Sequence, residues 1–153
     1  MKPLYFLLPL AVVAASCQQN GQQANKNTDS LKTSPVNSMN TCFAKISGKD
    51  SVILHINIQD GNAGGELTYN YFEKDKNTGT LKGQVADGIL RADYQFMSEG
   101  MQSSRPVVFK ISGEQAWEAV ADSINPEGIP VFAADNNALH FDSIPLKEIS
   151  CKP

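Results

Sequence analysis

Few residues in this chain can do covalent or acid–base chemistry, and those few are scattered. There are three cysteines (Cys17, Cys42 and Cys151) and two histidines (His55 and His140) in 153 residues. No Gly-x-Ser-x-Gly, His-Glu-x-x-His or glycine-rich phosphate loop occurs. His55 and His140 each fall on the polar face of a predicted strand, and paired across a sheet they could hold a metal; the expected reading is two uncoordinated surface histidines. Asp75-Lys76-Asn77-Thr78-Gly79 has a faint calcium-loop look, but it lacks the length and the terminal bidentate Glu, so it reads as a polar hairpin turn. Without a convergent acid, base and nucleophile, the expectation is a non-enzymatic protein with no catalytic residues, no cofactor and no metal. What remains is binding. Tyr69, Tyr71, Tyr94, Phe96 and Trp117 sit at strand spacing, where aromatics either line a ligand cavity or simply fill a core. Met97, Ser98, Glu99, Met101 and Arg105 cluster around a strand-to-loop junction. Loops on rigid sheets carry binding, and Met adapts its shape to a partner, so these five form the candidate binding loop.

The elements that must position these residues are strands. In Gly65–Tyr71, Leu67, Tyr69 and Tyr71 alternate with Glu66, Thr68 and Asn70. Leu81, Gly83 and Val85 repeat the scheme, as do Leu90, Ala92, Tyr94 and Phe96. Side chains that change face at every residue mark half-buried strands. Asn77-Thr78-Gly79 and Asp87-Gly88 read as the connecting turns, because Gly accepts the positive φ of a hairpin. Before this meander, Cys42–Ile46 and the alternating Val52, Leu54, Ile56 and Ile58 are strands, joined at Gly48-Lys49-Asp50; Asp60-Gly61-Asn62 turns the chain onward. After it, residues 98–104 read as a loop, with Pro106 placing the start of the next strand (Val107, Phe109, Ile111) at an edge or bulge. Trp117, Ala119 and Ala121 mark the inward side of a further strand, although Gln115–Asp122 also fits a short helix. A loop from Asp122 to Pro130 and short segments at 131–132, 139–141 and 146–151 complete the chain. The fold class is all-β: an antiparallel up-and-down meander forming a small eight-stranded, lipocalin-like barrel or a flattened sandwich.

Length allows one domain with a real core. The formal net charge is −3, but residues 42–151 hold 15 Asp and Glu against 9 Lys and Arg, a net of −6. With no basic stripe, such a domain repels phosphate backbones, so nucleic acid is not an expected partner, whereas a basic protein is compatible. In an oxidising compartment Cys42 and Cys151 are expected to form a disulfide between the first and last strands, closing the sheet.

The N-terminus reads as a targeting segment. Lys2 is followed by an apolar stretch, Leu4–Val13, too short to span a bilayer, and then by Ala14-Ala15-Ser16-Cys17. This resembles the lipobox of bacterial lipoproteins, with Ala14 where Leu is more usual. The resemblance implies a signal peptide over residues 1–16, cleavage before Cys17 and lipidation of that cysteine. Two or more acyl chains anchor durably where one does not. Gln18 stands where a retention Asp would hold such a lipoprotein at the inner membrane, which implies an outer membrane lipoprotein facing the periplasm or the cell surface. Residues 17–41 hold the lipidated Cys and a polar run of Gln, Asn, Ser, Thr and Lys, expected to be a disordered tether; residues 42–151 are the single β domain and 152–153 a tail.

The layout, including Glu-Lys-Asp-Lys-Asn-Thr-Gly-Thr-Leu-Lys-Gly at 73–83, resembles small Gram-negative β-barrel lipoproteins, a likeness that implies no activity. Tyr94-Gln95-Phe96-Met97-Ser98-Glu99-Gly100 resembles, over these seven residues, a loop of membrane-bound inhibitors of c-type lysozyme, in which a Ser and a Lys enter the enzyme's carboxylate-lined cleft. Ser98 matches; Glu99 stands where that pattern has Lys. The functional expectation is a lipid-anchored envelope protein whose small barrel binds an apolar ligand or an envelope partner. The alternatives are an inhibitor of a lysozyme-like enzyme and a structural envelope lipoprotein.

Overall fold

The computed structural model describes residues 38–74, 76–98 and 100–151. The expected signal peptide and lipobox, and most of the expected tether, lie outside the described residues. Alternation of apolar and polar residues lays down seven strands in succession, β1 (Ser38–Ser47), β2 (Asp50–Gln59), β3 (Asn62–Asn70), β4 (Asn77–Ala86), β5 (Ile89–Ser98), β6 (Met101–Ser112) and β7 (Gln115–Val120). Short segments β8 (Ser123–Ile124), β9 (Pro130–Val131) and β10 (His140–Phe141) follow, and β11 (Leu146–Ile149) ends the domain. Each strand from β1 to β6 pairs antiparallel with the next. β11 then lies between β7 and β1, so eight strands close into a barrel, as expected. Closure removes the sheet edges that would otherwise template aggregation.

Register is pinned at the turns. Asp60-Gly61 and Asp87-Gly88 are two-residue turns with positive φ at both positions (50° and 78°, 52° and 75°), the geometry whose twist matches flanking strands. Both were legible in the sequence. Asn77-Thr78-Gly79 is not a turn but the start of β4, which follows the end of β3 at Asn70. Gly79 is required there for a different reason: a Cβ would stand 2.0 Å from the Gln95 carbonyl oxygen of β5, so only glycine lets the two backbones approach. The expected loop at 98–104 is likewise absent. Ser98 pairs with Met101, and β6 runs unbroken from there. Pro106 therefore lies inside β6, opposite Asp93, where β7 has not yet joined on the other side; a missing N–H is tolerated at such a place. β1 also begins at Ser38, ahead of the expected Cys42, and Thr41 is buried with its hydroxyl on Glu148 Oε1 at 3.0 Å.

The barrel interior is packed with side chains. Phe43, Leu54, Ile56, Leu67, Leu90, Tyr94, Phe109 and Leu146 are all 0% exposed. A second, smaller apolar cluster lies outside the wall. Ile89, Val108 and Ala119 point outward from β5, β6 and β7 and are covered by Leu139, Phe132 and Phe141 of the excursion between β7 and β11. The disulfide forms as expected, Cys42 to Cys151, with 109 residues of separation and Cα atoms 5.2 Å apart.

Candidate binding site at the barrel mouth

The two barrel ends differ in how the chain turns. Three two-residue turns, at 60–61, 87–88 and 113–114, gather at the end where β1 begins. The opposite end, the mouth, carries the β1–β2 turn, the long β3–β4 connection, the tip of the β5–β6 hairpin and the exit from β7. Inward positions near the closed end are apolar apart from Thr41, whose hydroxyl is satisfied by Glu148. Near the mouth the same inward rows bring Lys45 (β1), Tyr69 (β3), Asn77 (β4), Tyr94 and Phe96 (β5), Arg105 (β6) and Glu118 (β7) together.

Arg105 organises this set. Its guanidinium carbon lies 5.0 Å from the Tyr69 ring centroid, 5.8 Å from Tyr94 and 5.7 Å from Phe96, within range of cation–π attraction. Tyr94 and Phe96 stack at 4.7 Å, and Tyr69 meets Tyr94 edge-on at 5.8 Å. The Tyr69 hydroxyl donates to Glu118 Oε1. Burial pushes the Glu118 carboxyl above the usual carboxylate range, opposed by the Tyr69 hydrogen bond and the charges of Lys45 and Arg105. Burial together with that carboxylate raises Tyr69 strongly, and burial pushes Tyr94 up to about 12, so both phenols stay protonated at neutral pH. Lys45 is occupied: its Nζ lies 2.6 Å from Asp142 Oδ2, which holds the Asp142 carboxyl below its ordinary value. Arg105 Nε, the Tyr94 hydroxyl and Asn77 Oδ1 are buried and have no hydrogen-bond partner among the described residues. Buried polar atoms are nearly always paired. Two donors left over beside one cation make this the place where an incoming acceptor has most to gain.

The five candidate binding residues do not share one loop. Arg105 is a wall residue facing the interior. Ser98 and Met101 are paired at the hairpin end, Met97 faces outward on β5, and Glu99 lies outside the described residues. Met97 and Met101 are exposed, as are Ile46, Tyr71 and Phe72 around the same rim, with Lys49 Nζ 3.7 Å over the Phe72 ring. A recess of about 130 Å³ between Lys45, Asp50, Val52 and Tyr71 opens there. Of the five aromatics considered together, four gather at the mouth. Trp117 does not: Ala116 and Glu118 point inward, opposite Ile111 and Phe109, and Trp117 points out beneath Lys110. Glu118 was missed in the sequence for the same reason. Its only available signal was the charge itself, inside a short run otherwise apolar.

The histidines are separated, His55 on β2 and His140 on β10. His55 Nε2 pairs with Asn40 Oδ1 at 2.9 Å. Asp75 of the calcium-like stretch lies outside the described residues, and Asn77, Thr78 and Gly79 begin β4. A groove of about 460 Å³ also runs along the outer wall between Lys82, Asp93, Pro106 and Asn136. It is formed because Arg91 clamps the excursion to the barrel through Ala133 O (2.7 Å), Ala134 O (3.2 Å) and Asn136 Oδ1 (2.9 Å). Three carbonyl-type acceptors on one guanidinium give that groove a structural explanation, which the mouth lacks. Comparison with protein-family models, with curated proteins and with solved structures finds no match to this chain.

Proposed function

We propose that this chain is a lipid-anchored protein of the bacterial envelope whose barrel is a non-enzymatic binding domain working through its mouth. The supporting observation is the Arg105 cluster: a guanidinium amid three aromatic rings, with its own Nε and the adjacent Tyr94 hydroxyl unpartnered. The packed interior argues for a ligand that engages the end of the barrel rather than its lumen. The rim residues Ile46, Tyr71, Phe72 and Met101 offer apolar surface around that cluster. An apolar or aromatic group bearing an oxyanion suits both features, since guanidinium and phenol donate to it while the rim covers its body.

Decanoate and acetate, added to the full chain, test this directly. Decanoate is expected to shift the Met101 methyl resonance and the Arg105 Nε–H resonance, acetate only the second and more weakly, and Arg105→Gln to abolish both. Unmoved resonances at millimolar decanoate would end the proposal. The acidic domain and the hairpin tip with Ser98 at the rim favour a second reading, inhibition of a basic lysozyme-like enzyme, by long-range attraction. A lysis assay decides it: protection lost with a Ser98→Arg substitution supports it, and no protection at micromolar protein dismisses it.

A further inference from the structure

The outer wall beside the disulfide holds a second cluster of chemically capable atoms. Cys42 and His55 are direct register partners across β1 and β2, and both side chains leave the outer face, because Phe43 and Leu54 take the interior. Cys151 is bonded to Cys42. One donor atom from each of Cys42, His55 and Cys151 lies within 4.8 Å of the others. The Cys–Cys pair looks in the sequence to lack a third donor; the β1–β2 register supplies it.

While the disulfide is intact, neither sulfur is a strong ligand, since metals bind the thiolate. Two-electron reduction by a dithiol breaks the S–S bond and places a hydrogen on each sulfur, the dithiol being oxidised to its own disulfide. Two thiols and an imidazole then face one another. This is a donor set for a thiophilic d10 cation, typified by Zn²⁺. We infer that the reduced chain binds such a cation at Cys42, His55 and Cys151, so that disulfide and metal are alternative occupants of one site. Binding releases both thiol protons to solvent and leaves the fourth tetrahedral position to a water.

The local structure permits the change. Tetrahedral ligation needs the sulfurs roughly 2 Å further apart than in a disulfide. Cys42 is held within β1, whereas Ser150 and Cys151 lie beyond the last residue of β11 and carry no strand pairing, so Cys151 can make that adjustment. Asn40 contributes from outside the ligand set. Its Oδ1 lies 2.9 Å from His55 Nε2, and a hydrogen bond to one ring nitrogen is the usual way a ligating imidazole is oriented.

The test uses the full chain with Cys17→Ser, so that no other thiol is present, reduced with a phosphine and titrated anaerobically with Co²⁺ and then Zn²⁺. The expected result is one Co²⁺ per chain with a sulfur-to-cobalt charge-transfer band and tetrahedral d–d bands, all displaced by Zn²⁺, and no such band in the oxidised chain. His55→Ala should weaken binding by at least ~10-fold and alter the d–d bands; Zn²⁺ should raise the melting temperature of the reduced chain only. Absence of the band in a reduced chain that keeps its sheet circular dichroism overturns the inference. So does an unchanged spectrum and affinity in His55→Ala, or a reduced chain that unfolds and is not refolded by Zn²⁺.

Discussion

One barrel carries two ends built on opposite terms. At the closed end the backbone satisfies itself: Val85 N–H donates to Gly61 O at 2.8 Å and Ile111 N–H to Gly88 O at 2.7 Å, tying each turn to the next strand pair, and the inward side chains are apolar but for Thr41, which donates to Glu148. At the mouth the inward rows end in Lys45, Arg105, Glu118 and three aromatics, with buried polar atoms that have no partner among the described residues. A chain optimised only for stability would not leave those atoms so. The contrast supports the proposed division into a closed half that serves as scaffold and a mouth that binds.

The largest effect should come from the seam that holds both ends in one cylinder. Cys42→Ser removes a cross-link over 109 residues, worth about 4–5 kcal/mol in the chain-entropy account. A fall in melting temperature on the order of 15 °C is expected in a calorimeter, and an unchanged melt would mean that the β1–β11 pairing holds the barrel closed without sulfur. Next comes Leu90→Ala, which empties a fully buried site and should lower stability by roughly 2–5 kcal/mol in urea unfolding. Phe96→Ala, at the half-buried mouth, should cost less than Leu90→Ala. Equal losses would erase the distinction between scaffold and site.

How much of this was legible follows the same division. The closed half could be read directly, because Asp-Gly turns and the alternation of Val52–Ile58 and Leu90–Tyr94 are local signals, and each agrees with the global fold. The mouth was harder. Gly79 reads as a turn in the sequence because glycine signals one; only the approach of Gln95 from the neighbouring strand reveals its role. Ser103 and Ser104 look like loop residues because polar composition in an exposed strand resembles a loop. On β7 the alternation misleads outright. The excursion over residues 122–144 buries the outer face as well, so Trp117 and Ala119 looked inward-facing, and Glu118, which does face in, looked like surface. His55 beside the disulfide depends on register between strands, which no single segment encodes.

Glu118 sharpens the comparison by its sign. Its folded-state pKa is raised, so the stability linked to its protonation is fully present below the unfolded value of about 4.3 and is lost as pH rises through the folded value. Glu118→Gln keeps an acceptor for Tyr69 and removes the charge. It is therefore expected to match the parent chain near pH 4 and to melt higher at pH 8, by a few degrees in thermal scans. A lower melt at pH 8 would mean that Lys45 and Arg105 over-compensate the burial, and that the mouth is a satisfied network rather than a strained one.

The smallest effect concerns the ion pair at the mouth's edge. Lys45 and Asp142 are 2.6 Å apart with side chains 21% and 36% exposed, so solvent screens them and the pair should contribute under about 1 kcal/mol. Asp142 is lowered mainly by its hydrogen bond from Lys45. Its contribution is present above the unfolded value of about 3.9 and vanishes as pH falls through the lower folded one. Asp142→Asn retains the acceptor that receives the Ile144 N–H at 3.1 Å and removes the charge together with the Oδ2 acceptor that faces Lys45. The expected outcome is a melting temperature one or two degrees lower at pH 7, a gap that narrows in 1 M salt and closes by about pH 2. A gap that survives high salt would show instead that Asp142 positions the β10–β11 connection against β1 by geometry, and that the mouth's edge is as rigid as the closed end.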